Sequence, residues 1–456
     1  MLLDKILVGV YFGLLVCVAT YYRIKNKNIP HISRPSLNSN LTLAIAMFLN
    51  SVGGGTVFGL GEKTFQGDLT IPLGLLLAIG SDILYGIFIT PKIATKSSSK
   101  SIGNMMEEHY GKSGRIFTGI CATTVALGYV AIQINVSTKI FVYILDINDT
   151  IGALISYAVV VIYTLVGGLR STLKTNVIQF VSLVLAIPLI SVLSIKKAGV
   201  YKIFCSLENA SLNISFVHML FLALGFSCMS LDPALIKRNL IAKTAAITTS
   251  AMIIKSVLYA FCLLLLTLNA LAAKELFPLI EPVSVIPTLI KNILPLGVSG
   301  IVIVGFFAAI MSTADSALQI AVESVKQDIL IPLNTKDKNT KALALIAKIL
   351  VVTLGSGSIF MSLKFQYSID LAFFVAGTWF PLIVIPLTAS LYKIYISAPG
   401  FFISSAASFL SFVISEMLIL PFGLKSVVIS SITSCLMFCM IKFIEKRFFA
   451  FKNKIS

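Results

Sequence analysis

The chain has 456 residues, 57% of them hydrophobic and only 12% charged, far more apolar sequence than the core of a soluble protein requires. Its net charge of +17 sits in short stretches between apolar runs and forms no basic domain. That excludes nucleic acid as a partner and fits the positive-inside pattern of a membrane protein. Apolar runs of roughly 20 residues, with no short alternating segments, specify spanning helices and not a β-barrel. In chain order the runs fall near Ile6–Tyr22, Leu41–Leu60, Leu69–Thr90, Phe117–Phe141, Ile151–Val166, Val177–Ser194 and Phe216–Ser230. They continue at Ala245–Leu271, Gly297–Val325, Ala342–Leu363, Leu371–Tyr392, Phe401–Leu420 and Val427–Ile441. The first lacks a basic n-region and a cleavage site and is read as a retained helix. The expected architecture is an all-α polytopic membrane protein with about thirteen spans, a single transport domain over residues 1–456.

An odd number of spans puts the termini on opposite sides. With the C-terminus inside, most of the 36 Lys and Arg residues are cytoplasmic, so the predicted orientation is N-out and C-in across the cell membrane. Lys255 falls within a span. The basic tail Lys442–Ser456 is expected to lie on an anionic inner leaflet. The loop Lys274–Pro295, with four prolines, reads as an external lid, a short interfacial helix or a plain connector. Cys17, Cys121, Cys205, Cys228, Cys262, Cys435 and Cys439 form no CxxC and fall mostly in apolar runs, so neither a disulfide framework nor a zinc site is expected.

Gly305–Asp328 is apolar enough for the membrane yet carries Ser312, Asp315, Ser316, Gln319 and Glu323 at helical spacing on one face. In hydrocarbon such groups are costly unless they line a polar path or bind something. The neighbouring hydroxyls of Ser312 and Thr313 are hard oxygen donors suited to a small cation such as Na⁺. Asn50–Gly61, NSVGGGTVFGLG, is the second feature. Its three consecutive glycines either open the helix, freeing carbonyls for a cation, or permit close helix packing. Asp82, Asp232 and Asp315 are acids at membrane depth. Pairing with Lys255 or Arg238 is one reading, and binding a proton or a cationic substrate is the other, the latter favoured for Asp315. Gln133 and Asn135 read as helix–helix hydrogen-bonding amides, and Trp379 as a packing or pore-facing aromatic. No HExxH, GxSxG, Walker A or dinucleotide fingerprint is present. The chain is therefore not expected to be an enzyme, and uphill work would draw on an ion gradient.

Three stretches resemble the sodium:solute symporter family: SVGGGTVFGLG (Ser51–Gly61), YTLVGGLRSTLKTNVIQ (Tyr163–Gln179) and AAIMSTADSALQIAVESVKQDIL (Ala308–Leu330). Their wording is most similar to the high-affinity choline transporter branch. The resemblance implies two inverted five-helix repeats with broken first helices, over residues 41–194 and 216–392, with residues 6–22 and 401–441 peripheral. It implies a sodium site built from the carbonyls of Leu49, Val52 and Ala309 and the hydroxyls of Ser312 and Thr313. Substrate would lie at the breaks holding Gly53 and Ser230, beside Ser51, Gly54, Ser81, Asp232 and Phe373. Where the family carries an acid on the inward ion path, this chain has Asn176; Asp315 and Asp82 are the other candidates for that path. Of the positions matching the choline branch's aromatic cage, only Phe373 is aromatic, which argues against choline and for an amine bearing hydroxyls. The function expected is sodium-coupled symport of a small polar organic solute by alternating access, with Na⁺ as coupling ion and no obligate protein partner. Proton coupling on the same fold, or a sensor on a transporter scaffold, are the alternatives.

Overall fold

The computed structural model describes residues 2–25, 39–96, 99, 101–167, 169–209, 216–228, 230–333, 340–364, 368–418 and 424–455. Among them there are helices and no strands. The basic loop at 26–38 lies outside this set, as do the side chains of residues 166–174 within the Tyr163–Gln179 motif.

Helix α1 is Leu2–Lys25. α2 (Asn40–Ser51) starts at Ser39, whose hydroxyl accepts from the Thr42 N–H, satisfying one of the unpaired first-turn donors. α3 (Gly54–Phe65) continues from α2 after a 47° bend. α4 (Thr70–Phe88) and α5 (Thr90–Thr95) part near Pro91, which lacks the N–H a continuous helix would use. α6 (Ile102–Leu145) is two arms joined at Gly111, whose φ of 69° favours glycine. α7 (Asp149–Gly167), α8 (Leu169–Ala198) and α9 (Val200–Asn209) follow.

A second interruption separates α10 (Phe216–Ser227) from α11 (Pro233–Leu240), where Asp232 caps the first turn and Pro233 occupies the position that loses least by lacking an N–H. α12 (Ala245–Leu276) leads to a 3₁₀ turn at Pro282–Ser284 and α13 (Val285–Ile293). Of the readings of the Lys274–Pro295 loop, a short helix is therefore observed. α14 (Val298–Ser324) passes through a π-helical stretch, Val325–Leu330, into α15 (Ile331–Leu333). α16 (Thr340–Lys364), α17 (Ser368–Gly377), α18 (Ile385–Leu391), α19 (Ala398–Leu418) and α20 (Leu424–Ile455) complete the chain.

Helix lies over each of the thirteen apolar segments. Among the described residues, nine helices are long and apolar enough to cross a membrane, or ten counting α2 and α3 as one bent span. α7 and α10 are shorter. Large apolar side chains such as Leu84, Phe88, Leu185, Val192, Phe261, Phe360 and Leu436 point outward, as a lipid-facing surface requires. α14 is the axis of the molecule. Its apolar stretch is 89% buried, against 28% for the span over Thr70–Thr95 and 22% for Leu345–Lys364.

Two packing groups surround this axis. α14 packs chiefly on α6 and α8, with α1, α7 and α16 alongside. α12 packs chiefly on α2, α3, α4 and α8, and α10 joins that group through α4. The break between α2 and α3 therefore lies where one group meets the other.

Candidate functional site

The backbone leaves helical geometry at Val52 (φ −95°, ψ 58°) and at Gly53 (φ −81°, ψ 179°). The glycine run divides its work. Gly53 belongs to the break, while Gly54 and Gly55 already lie in α3 and serve close packing. A Cβ on Gly54 would stand 2.9 Å from Gln133 Oε1 and 3.0 Å from Val136, and one on Gly55 2.9 Å from Ile132. A Cβ on Gly53 would stand 2.9 Å from Thr313 Oγ1. The run thus both opens the helix, at Gly53, and permits close packing, at Gly54 and Gly55.

Thr313, fully buried on α14, places its hydroxyl 3.0 Å from the Leu49 carbonyl and 3.1 Å from the Ala309 carbonyl. Three oxygens from two helices thus converge beside the break. Ser312 turns to α8 and donates to Asn176 Oδ1 at 3.1 Å. Asn176 Nδ2 is buried without a hydrogen-bond partner. Of the five expected sodium ligands, Leu49, Ala309 and Thr313 share direct contacts. Val52 is buried at the break itself, and Ser312 is one residue away on the same helix.

The second break is tied to the first. Asp232 Oδ1 accepts from the Leu235 N–H at 2.6 Å, capping α11, and Oδ2 accepts from Asn50 Nδ2 at 2.5 Å. Trp379 Nε1 donates to the Leu231 carbonyl at 2.8 Å, fixing the strand of backbone that precedes the cap. Trp379 is buried and acts in packing, the first of its two expected roles. Phe373 on α17 meets Phe226 of α10, with ring centroids 5.7 Å apart. Ser51 is half-buried, its hydroxyl donating to Met47 O at 3.2 Å, while its own carbonyl accepts from Thr56. Ser81, also half-buried, donates to Ala78 O of its own helix.

The other charged side chains singled out in the sequence bond either to an opposite charge or to a neutral polar group. Asp82 pairs with Lys255, both buried. Arg238 donates to the Ala46 carbonyl and to Ser316 Oγ. Lys237 pairs with Glu323. Asp315 accepts from Gln319 one turn on, at 2.8 Å. The polar face of α14 therefore has two halves. Ser312 and Thr313 face the break and α8, and Ser316 and Glu323 hold the basic residues of α11. Sequence reasoning missed Asn50 and gave Gln133 only a generic role. The amide of Gln133 accepts from the Gly54 N–H at 2.8 Å, a contact for which no local pattern exists.

A bundle of apolar helices with discontinuous helices meeting at mid-depth is the construction of a secondary transporter. A model of the sodium:solute symporter family matches residues 38–407, and the chain belongs to that family. It is accordingly a multi-pass membrane symporter, coupled to Na⁺ and carrying a small solute. The sodium/sialic acid symporter NanT of Aliivibrio fischeri (strain ATCC 700601 / ES114) is 21% identical over 352 residues, 72% of this chain and 70% of that protein. A solved substrate-bound, outward-open Na⁺-coupled sialic acid symporter superposes with a TM-score of 0.81 at 18% identity, covering 97% of this chain and 98% of that one. Mhp1, a nucleobase-cation-symport-1 family transporter, superposes with a TM-score of 0.60 at 12% identity, covering 92% and 94%. At these identities the two structures establish a common fold.

Proposed function

We propose that Na⁺ binds among the carbonyls of Leu49, Val52 and Ala309 and the hydroxyls of Ser312 and Thr313, and that the solute binds beside it at the two breaks. The observation that carries this reading is the Thr313 hydroxyl held between carbonyls of two helices, one of which ends there. Oxygens freed by a broken helix and aimed at a hydroxyl pair form a hard, neutral donor set. Rotating the Thr313 hydroxyl proton away would turn its lone pairs toward the same point. The test is Ser312→Ala with Thr313→Ala. Sodium-dependent uptake disappears while the protein still reaches the membrane, and an unaltered sodium requirement in that double variant would refute the site.

The solute, in this reading, is a small polar molecule bearing an amine, contacting Ser51, Gly53, Gly54, Ser81, Asp232 and Phe373. Asp232 is half-buried and brings a negative charge to the seam between the breaks. The motif likeness to the choline branch does not extend to choline, because a quaternary amine calls for several aromatic faces and Phe373 is one. The bond between Asn50 and Asp232 supports pairing the breaks as the first helices of two inverted repeats, residues 41–194 and 216–392, flanked by residues 6–22 and 401–441. Alternating access is then a rocking of the α12-centred group against the α14-centred group about the site. Asn176 and Asp315 flank Ser312 and are assigned to the inward ion path. The ion pair with Lys255 favours a structural role for Asp82. The distribution of Lys and Arg supports N-out and C-in orientation in the cell membrane.

A further inference from the structure

We infer that Gln133 is a positioning residue for the coupling ion: it fixes the opened segment of α2 and α3 at Gly54, as Thr313 fixes it at Leu49. The inference rests on the sodium site proposed above.

A helix that restarts at Gly54 presents N–H groups with no acceptor in the preceding turn. Buried donors of this kind are costly unless bonded. Gln133 on α6 supplies the acceptor, Oε1 at 2.8 Å from the Gly54 nitrogen, and is itself 2% exposed. Thr313 on α14 holds the other side of the break through the Leu49 carbonyl at 3.0 Å. Of the four residues between these anchors, Val52 and Gly53 have left helical geometry, so the directions of their carbonyls depend on where the anchors sit. Packing leaves little slack. A Cβ on Gly53 would stand 2.9 Å from Thr313 Oγ1 and 3.2 Å from Gln133 Nε2. The opened backbone is therefore bonded to both α6 and α14, which pack on one another. The Gln133 amide bonds to the Gly54 N–H and not to the Leu49 or Ala309 carbonyl, so its effect on the ion passes through the Gly53–Gly54 backbone.

The test uses full-length purified protein and Na⁺ alone. Thermal stability is titrated with NaCl, with N-methyl-D-glucamine chloride holding ionic strength constant, so that Na⁺ binding to the native state appears as a rise in melting temperature. Gln133→Leu removes the acceptor at nearly constant volume, and the Na⁺ midpoint should rise about tenfold, as expected for one lost buried hydrogen bond. Gln133→Glu retains an oxygen at the same reach, and its midpoint should stay at or below the wild-type value. A merely structural role would lower the melting temperature without moving the midpoint. Should Gln133→Leu fail to fold, Gln133→Asn, one methylene too short to reach Gly54, must show the same rise. A wild-type midpoint in whichever of these folds overturns the inference. If Ser312→Ala with Thr313→Ala abolishes the response while Gln133→Leu leaves it intact, only the role of Gln133 falls. If the double variant also responds normally, the sodium site itself falls.

Discussion

Asn50 and Asp232 are 182 positions apart, yet the Asn50 amide donates to the Asp232 carboxylate at 2.5 Å, joining the end of α2 to the start of α11. The same carboxylate caps α11 through Leu235. One side chain thus stabilises a half-helix, links the two breaks and places a negative charge at their seam. These roles separate by substitution. Asp232→Ala loses the cap and the link, and should lower stability by about 1–3 kcal/mol. Asp232→Asn keeps a capping oxygen, and Asn50 can flip to accept from the new N–H, so stability should change by less than about 1 kcal/mol. It nevertheless removes the charge. Amines that stabilise the wild type in a thermal-shift screen should therefore lose their effect in Asp232→Asn. Equal amine responses in the two proteins would show that this charge does not recognise the solute.

Asp82 and Lys255 form a buried ion pair between α4 and α12. Removing one partner strands a charge, which costs about 3–5 kcal/mol, whereas replacing both with apolar groups is close to neutral. Lys255→Met should therefore lower the melting temperature sharply in detergent, and Asp82→Leu combined with it should restore most of the loss. The double variant should keep sodium-driven uptake. If it is stable but inactive, Asp82 belongs on the ion path after all.

Both outcomes bear on what a sequence can disclose. Hydropathy runs located every long helix because lipid demands apolar residues at a length set by bilayer thickness. The hydroxyls of Ser312 and Thr313 were legible because their polarity is anomalous there. The partners were not legible. Lys255 was a candidate for any of three acids, and only the packing of α12 on α4 assigns it to Asp82. Gln133 and Asn50 bond to residues 79 and 182 positions away, and neither is marked by periodicity. The glycine run was ambiguous because opening a helix and packing a helix closely call for the same residue.

That ambiguity yields a graded prediction. At Gly55 an added methyl meets a single atom, the Ile132 Cγ2 methyl, at 2.9 Å, and a small shift of that side chain can absorb it. At Gly54 it meets the Gln133 amide and Val136, and at Gly53 the Thr313 hydroxyl. Gly55→Ala should retain sodium-dependent uptake within about threefold, since overpacking that side chains can relieve costs little. Gly54→Ala should weaken it further, and Gly53→Ala should abolish it. Uptake measured across a Na⁺ series in proteoliposomes gives the order, and a Gly53→Ala variant as active as Gly55→Ala would contradict the assignment of the break.

Asn176 offers the most direct control over the ion. Its Oδ1 accepts from Ser312 at 3.1 Å, and its Nδ2 is buried with no hydrogen-bond partner. Asn176→Asp therefore removes no bond made by Nδ2 and adds a carboxylate beside the proposed donor set, where neutral oxygens are otherwise the ligands. The half-saturating Na⁺ concentration should fall, by about tenfold if the ion gains 1.4 kcal/mol from the new charge. A titratable group also brings pH dependence of a definite sign. Only the ionised carboxylate attracts Na⁺, so the gain is present at high pH and is lost as pH falls through the carboxyl's pKa. Sodium titrations of the two proteins should accordingly differ at alkaline pH and converge in acid. Curves that coincide at every pH would place the coupling ion away from Ser312.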